Sequence, residues 1–246
     1  MLWVGIAQLT SQTRGIVGSV LAPACRVWLR SQVSHVDDIQ VDIAGGSLQI
    51  LGGTIPRIAV GAVGAIYQGL SLGSIDLIAE NIRINLPQVL KGQPLGLLEA
   101  ISVTANVKFS EGDLQASLSA PLLSQAITDL FTQILGANSH QSNLVIEWTH
   151  VQIAPQQLVL QGNLTTEEHT VPIELSMGIA IKDGQILHLN PLKIICSSLF
   201  QRGYANDLPG SNITSHSIDL GDDVNITQLQ LSAGELLCQG GILVNP

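Results

Sequence analysis

A chain of 246 residues with 46% apolar, 12% charged and 3% aromatic residues can bury a large core, and that core must be aliphatic. Its formal net charge of −9 excludes nucleic acid as a partner, because phosphate binding needs clustered Lys and Arg. The mean hydropathy of +0.36 demands cover from a core, a partner or lipid.

No stretch forms a convincing transmembrane helix. The longest uncharged run, 58–75, is broken by glycines and by Gln68, Ser71 and Ser74. The first thirteen residues are apolar but lack a basic start and a small-x-small cleavage site, so no cleaved signal peptide is expected. Cys25, Cys196 and Cys238 are far apart and odd in number, which suits a reducing compartment better than a disulfide framework. The expected location is therefore cytoplasmic or peripheral to a membrane.

Residues 1–35 contain Arg14, Arg26 and Arg30 and no acidic residue. A basic, apolar segment ahead of an acidic body makes Arg14, Arg26, Trp28 and Arg30 candidates for contact with a membrane surface. A helix that packs on the body with its arginine tips in water explains the same residues. The spacing of Val17, Val20, Leu21, Ala24, Val27 and Trp28 predicts a helix over 15–32, kinked or restarted at Pro23. We take 1–34 as an N-terminal amphipathic segment and 35–246 as one domain.

From His35 the period becomes two. Ile39, Val41 and Ile43 alternate with polar residues; Leu48 and Ile50 resume the alternation after Gly45-Gly46, and Ile58, Val60 and Ala62 follow. The phase slips at Gly73 and again before Ile82, where one-residue β-bulges are expected. Ile101 to Phe109 alternate without fault. Ser110, with Asp113 three residues on, predicts a helix start, and Pro121 a second one. That second helix carries a stripe of Leu122, Leu123, Ala126, Ile127, Leu130, Phe131, Ile134 and Leu135, ended by Gly136. Strands resume with Leu144, Ile146 and Trp148, then Leu158 and Leu160 after a turn at Pro155. Val171 to Ile181 follow, with a hairpin at Asp183-Gly184. Residues 197–215 suit a loop, and three short strands close the chain. The expected fold is α+β: a long curved antiparallel sheet wrapped around one or two amphipathic helices.

Gly69-Leu70-Ser71-Leu72-Gly73 matches G-x-S-x-G, the nucleophile elbow of many esterases. An elbow needs a helix directly after the serine, and here a period-two pattern continues. A serine hydrolase using Ser71 is thus the least favoured function. The six histidines form no metal-ligand spacing, and Asp37-Asp38, Glu167-Glu168 and Asp222-Asp223 are neighbours that a strand points to opposite faces. No enzyme, metal or cofactor is expected.

Several motifs in order carry a family resemblance: Leu51-Gly52-Gly53, Tyr67-Gln68-Gly69-Leu70, Ile82-Arg83-Ile84-Asn85, Leu90-Lys91-Gly92, Asp113-Leu114 with Ser117-Leu118, and the ending from Ile218 to Pro246. With them the chain resembles the LmeA-like phospholipid-binding family, over nearly its whole length. The resemblance implies a tubular lipid-binding fold, with a twisted sheet around a long helix and an apolar groove for acyl chains. It implies phospholipid or glycolipid binding, a role in lipid transfer or membrane lipid homeostasis, and no catalytic residues. Exported members carry a signal peptide or anchor that is not evident here, so a peripheral role on the cytoplasmic face is the simpler reading. The residues nominated for the groove are Leu123, Ile127, Phe131 and Leu135 on the helix, and Val103, Val107, Ile173, Leu175 and Met177 on strands. The alternative is an interaction module that docks an apolar face on a protein partner.

Overall fold

The structure is a computed structural model that describes residues 16–89, 96–135, 145–165, 170–196 and 215–246. Arg14, Gly136 and nearly all of the expected 197–215 loop lie outside the described residues.

Helix α1 (Ile16–Ser31) runs unbroken through Pro23. Its packed face is Ala22, Cys25 and Leu29, while Val27 and Trp28 are 71% and 56% exposed. Strand β1 (Asp38–Ala44) buries Ile39, Val41 and Ile43 as the alternation demands. Leu48 and Ile50 do not resume a strand; they lie in the short helix α2 (Ser47–Leu51). The Gln49 side chain accepts from the Gly46 N–H (3.1 Å) and starts that turn. Residues two apart share a strand face but lie nearly opposite on a helix, so Ile50 is 0% and Leu48 86% exposed.

Strands β2 (Thr54–Tyr67) and β3 (Leu70–Arg83) form a long hairpin. Its two-residue turn, Gln68-Gly69, has φ of 49° and 84°, the twist that a tight hairpin needs. The phase slips seen in sequence are real but are not one-residue bulges. The register is constant from Thr54↔Arg83 to Tyr67↔Leu70, and a one-sided bulge would shift it. Instead both strands change face together. Ala62 and Ala65 on β2, and Ile75 and Leu72 on β3, meet in one cluster across the Gly64–Gly73 position, where Gly64 has φ 62°. Ile58 and Ile55, with Ala79 and Ile82, do so across Pro56–Asn81, where Asn81 has φ 55°.

After α3 (Leu86–Val89), β4 (Ile101–Ser110) leads into α4 (Glu111–Ser117) and α5 (Pro121–Leu135). The expected cap is present: Ser110 Oγ accepts from the Asp113 N–H (3.1 Å), and Asp113 Oδ2 accepts from the Ser110 N–H (2.7 Å). The remaining strands are β5 (Val145–Ala154), β6 (Gln157–Thr165), β7 (Thr170–Lys182), β8 (Ile186–Cys196), β9 (His216–Asp219), β10 (Val224–Ser232) and β11 (Glu235–Val244).

The expected single long sheet is two. One has six antiparallel strands in the order β1-β2-β3-β4-β11-β10, the other five in the order β5 to β9. Helix α1 packs on the β1–β3 end of the first, and α5 packs on the second. The break falls where α4 and α5 interrupt the meander, so the last two strands return to β4 rather than to β9.

Helix α4 joins the sheets through polar side chains. At the open edge of β5, Gln115 Oε1 accepts from the Val151 N–H (3.0 Å), Gln115 Nε2 donates to the Thr149 carbonyl (2.8 Å), and Glu111 Oε2 accepts from the Ile153 N–H (2.8 Å). Residues 111 and 115 share a helix face and so replace a neighbouring strand. The β10–β11 turn completes the joint: the Glu111 N–H donates to the Gly234 carbonyl and the Gly234 N–H to the Ile153 carbonyl, both at 2.9 Å. Removing a partner from a part-buried N–H costs roughly 1–3 kcal/mol. Glu111→Ala and Gln115→Ala are each expected to lower unfolding free energy by about that amount in urea titrations. A change under about 0.5 kcal/mol, the ordinary surface range, would show that α4 is not the joint.

Candidate functional site

Ser71 sits in the middle of a strand. β3 continues to Arg83, so the helix that an elbow requires is not there. Beyond the end of the β4 ladder at Ser74↔Lys108, α4 lies beside β3 in place of a strand. The Ser71 N–H donates to Ser117 Oγ (2.8 Å), Ser71 Oγ donates to Asp113 Oδ1 (3.3 Å), and Ser117 Oγ donates to the Asp113 carbonyl (2.7 Å). Gly73 is small because α4 is close: a Cβ there would stand 2.5 Å from Asp113 Oδ2. Gly69 supplies the hairpin turn. The pentapeptide is a helix-docking site built into a strand, with a carboxylate and, among the described residues, no imidazole hydrogen-bonded to the serine. Among the described residues, no three His, Cys, Asp or Glu gather as metal ligands.

The nominated groove residues fall into two places. Ile127 and Phe131 on α5, and Ile173, Leu175 and Met177 on β7, are buried together, with Leu123 packed against them. Phe131 is 1% and Leu175 0% exposed. This cluster also holds Trp148, whose ring meets Phe131 edge-on with centroids 6.1 Å apart. Leu122 and Ala126 of the expected stripe face solvent, and the Leu135 side chain lies outside the described residues. Val103 and Val107 are elsewhere, on β4 of the six-stranded sheet.

The six-stranded sheet has one polar and one aliphatic face. Register carries the aliphatic one across it: Val60, Leu77, Ala105, Gly240 and Ile226 form one row, and Ala62, Ile75, Val107, Cys238 and Leu229 the next. Val103 stands between Ala79 and Ile242 in a third. Under α1 this face is buried, at Ile39, Val41 and Ile43. Farther along, Leu77, Ala79, Val103, Ala105, Val107, Phe109, Leu236 and Cys238 are only half-buried. Desolvation pushes the Cys25 and Cys238 thiols up, so both stay neutral on apolar surfaces. A separate open depression of about 410 Å³ lies on the polar face, lined by Arg57, Ile78, Glu80, Asn81, Ser102 and Thr104, none of them nominated from sequence. The half-burial of the aliphatic face was also missed, because alternation reveals which face is apolar but not what covers it.

Among the described residues, no helix is long and apolar enough to cross a membrane. The membrane candidates Arg26, Trp28 and Arg30 are exposed on α1, and Arg30 Nη2 donates to the Val36 carbonyl (3.3 Å).

The family model of LmeA-like phospholipid-binding proteins matches residues 13–241. The chain belongs to the LmeA-like phospholipid-binding family. No curated protein and no solved structure matches it. Membership supports a lipid-binding role and agrees with a β-rich fold that offers an aliphatic sheet face.

The Ser71 arrangement has a measurable consequence. Fluorophosphonate probes are expected to leave Ser71 unlabelled, and Gly73→Ala to destabilise by about 1–3 kcal/mol through overpacking against Asp113. Stoichiometric labelling, read by peptide mass spectrometry, would restore the hydrolase.

Proposed function

We propose that this protein is a non-enzymatic phospholipid or glycolipid carrier that holds acyl chains against its aliphatic sheet faces. The observation that carries the proposal is the half-buried face around Val103 and Val107: continuous across strands β3, β4 and β11, aliphatic throughout, yet not closed by a core. Burying a methylene is worth about 0.8 kcal/mol, so about ten of them supply roughly 8 kcal/mol before ordering costs, with no charged contact. Leu123, Ile127, Phe131, Leu135, Ile173, Leu175 and Met177 form the α5 side of the binding body. Residues 35–246 act as one lipid-binding domain, the two sheets and their helices curving toward a tube. The function served is transfer or homeostasis of membrane lipid.

Residues 1–34 bring the protein to an anionic membrane surface. Charge complementarity supports this: Arg26 and Arg30 flank the exposed Val27 and Trp28 on the outer face of α1, while the body is acidic.

Native mass spectrometry of the purified protein, with lipid extraction, is expected to find phospholipid or glycolipid near one per chain. Val107→Asp places a charge on the half-buried face and is expected to cut uptake from vesicles at least tenfold while far-UV circular dichroism is unchanged. A clean lipid-free mass with no vesicle uptake would overturn the carrier and favour a protein partner on that face. In flotation assays Arg26→Glu with Arg30→Glu is expected to abolish binding to anionic vesicles at low salt. Equal flotation of the wild type and this double variant would remove α1 as the anchor.

A further inference from the structure

Trp148 Nε1 is a buried donor with no acceptor among the described residues. Trp148 belongs to the buried cluster of α5 and the five-stranded sheet, whose other buried members are all apolar. Leaving such an N–H unpaired is costly, and buried tryptophans normally find a partner. An acceptor carried on an apolar molecule would complete this donor.

Trp148 on β5, Gly162 on β6 and Ile173 on β7 form one cross-strand row. A Cβ on Gly162 would stand 2.5 Å from the Glu147 carbonyl oxygen and 3.1 Å from the Trp148 ring, so the close approach of the β5 backbone requires glycine, and the indole lies over it. Along the inner face of β5, burial deepens from Ile146, which is half-buried, through Trp148 to Val151 and Ile153. On β7 it deepens likewise from Val171 to Ile173. Trp148 thus stands where a half-open end of the α5–sheet layer meets the closed core.

We propose that Trp148 Nε1 donates a hydrogen bond to the ester carbonyl of an acylated lipid whose chain enters at the Ile146–Val171 end. An acyl ester is the group that joins an acceptor to an aliphatic chain, and both halves match this place. The inference rests on the lipid-carrier reading and gives it a chemical preference: ester-linked over ether-linked chains.

The test compares diacyl and dialkyl phosphatidylcholine of equal chain length, each offered in vesicles to the full chain. Wild type is expected to take up the diacyl lipid about tenfold better. Trp148→Phe keeps a ring against Phe131 but removes the donor, and is expected to erase that preference by weakening diacyl uptake alone. Equal uptake of both lipids by wild type, or a preference that survives Trp148→Phe, would overturn the proposal while leaving the carrier intact. Failure of wild type to take up either lipid would overturn both.

Discussion

Two unfinished sheet edges meet at one short helix, and the rest of the molecule is arranged around that meeting. Strand β3 outruns the β4 ladder at Ser74, and among the described residues β5 has no strand on its outer side. Both edges carry backbone groups that would be costly to bury unpaired. Helix α4 presents Ser117 to the first edge and Glu111 and Gln115 to the second. A seven-residue helix is too short to be stable alone. It is held by its Ser110–Asp113 cap and by the edges it completes, so the two sheets and the helix are stable only together. Gly73 belongs to the same joint, because any side chain there would push Asp113 off the strand.

This joint separates stability from coverage. In most two-layer proteins the same apolar faces hold the layers together and must be closed to do so. Here the sheets are linked by α4's side-chain-to-backbone hydrogen bonds, by the β10–β11 turn, and by β10 itself, where the Ile226 N–H donates to the Gly184 carbonyl (2.7 Å) and the Leu231 carbonyl accepts from the Gln156 N–H (3.3 Å). The aliphatic face across Val103, Ala105, Val107 and Cys238 is therefore not required as glue, and it can stay half-open without the sheets falling apart. The α5 layer is different. Its cluster is closed around Phe131 and Leu175, and among the described residues its half-buried margin includes Ile146 and Val171 at one end and Ile179, Leu187 and Ile218 at the other.

Much of this was legible in the residues, and the exceptions share a cause. Strict alternation gave β1, β4 and β7, Ser110 with Asp113 gave the start of α4, and Asp183-Gly184 gave a hairpin, because each signal is local. Leu48 and Ile50 misled because two apolar residues two apart fit a strand as well as they fit two sides of a five-residue helix. The spacing that includes Val27 and Trp28 fixes a helix but not its rotation; the packed face carries Ala22, Cys25 and Leu29 instead. The phase slips were visible, but their nature was not. A slip on one strand is a bulge, and a matched slip on two is a change of face with register kept; only pairing tells them apart. Two sheets in place of one could not be read at all, because the return of β10 and β11 to β4 is a long-range choice. The groove nominations show the same limit: period two found the apolar sets that include Val103 and Ile173, and nothing in it distinguishes an open face from a filled core.

The serine pentapeptide shows why context outweighs a motif. Its two glycines and its serine each have a structural cause: a hairpin turn at Gly69, a close helix at Gly73, and a donor at Ser71 for Asp113. None of these causes is catalytic. An elbow raises its serine to solvent at a strand-to-helix turn so that a base can reach it; here the hydroxyl is spent on a carboxylate that also caps a helix. The polar atoms of this region satisfy one another, and the chemistry left over is aliphatic. A chain with few charges and few aromatics, whose polar side chains close its own edges, has little means to bind by charge and much surface with which to bind by exclusion of water. That balance suits the proposed carrier of acyl chains, and Trp148, a buried side-chain donor without a partner among the described residues, is where such a cargo would be read.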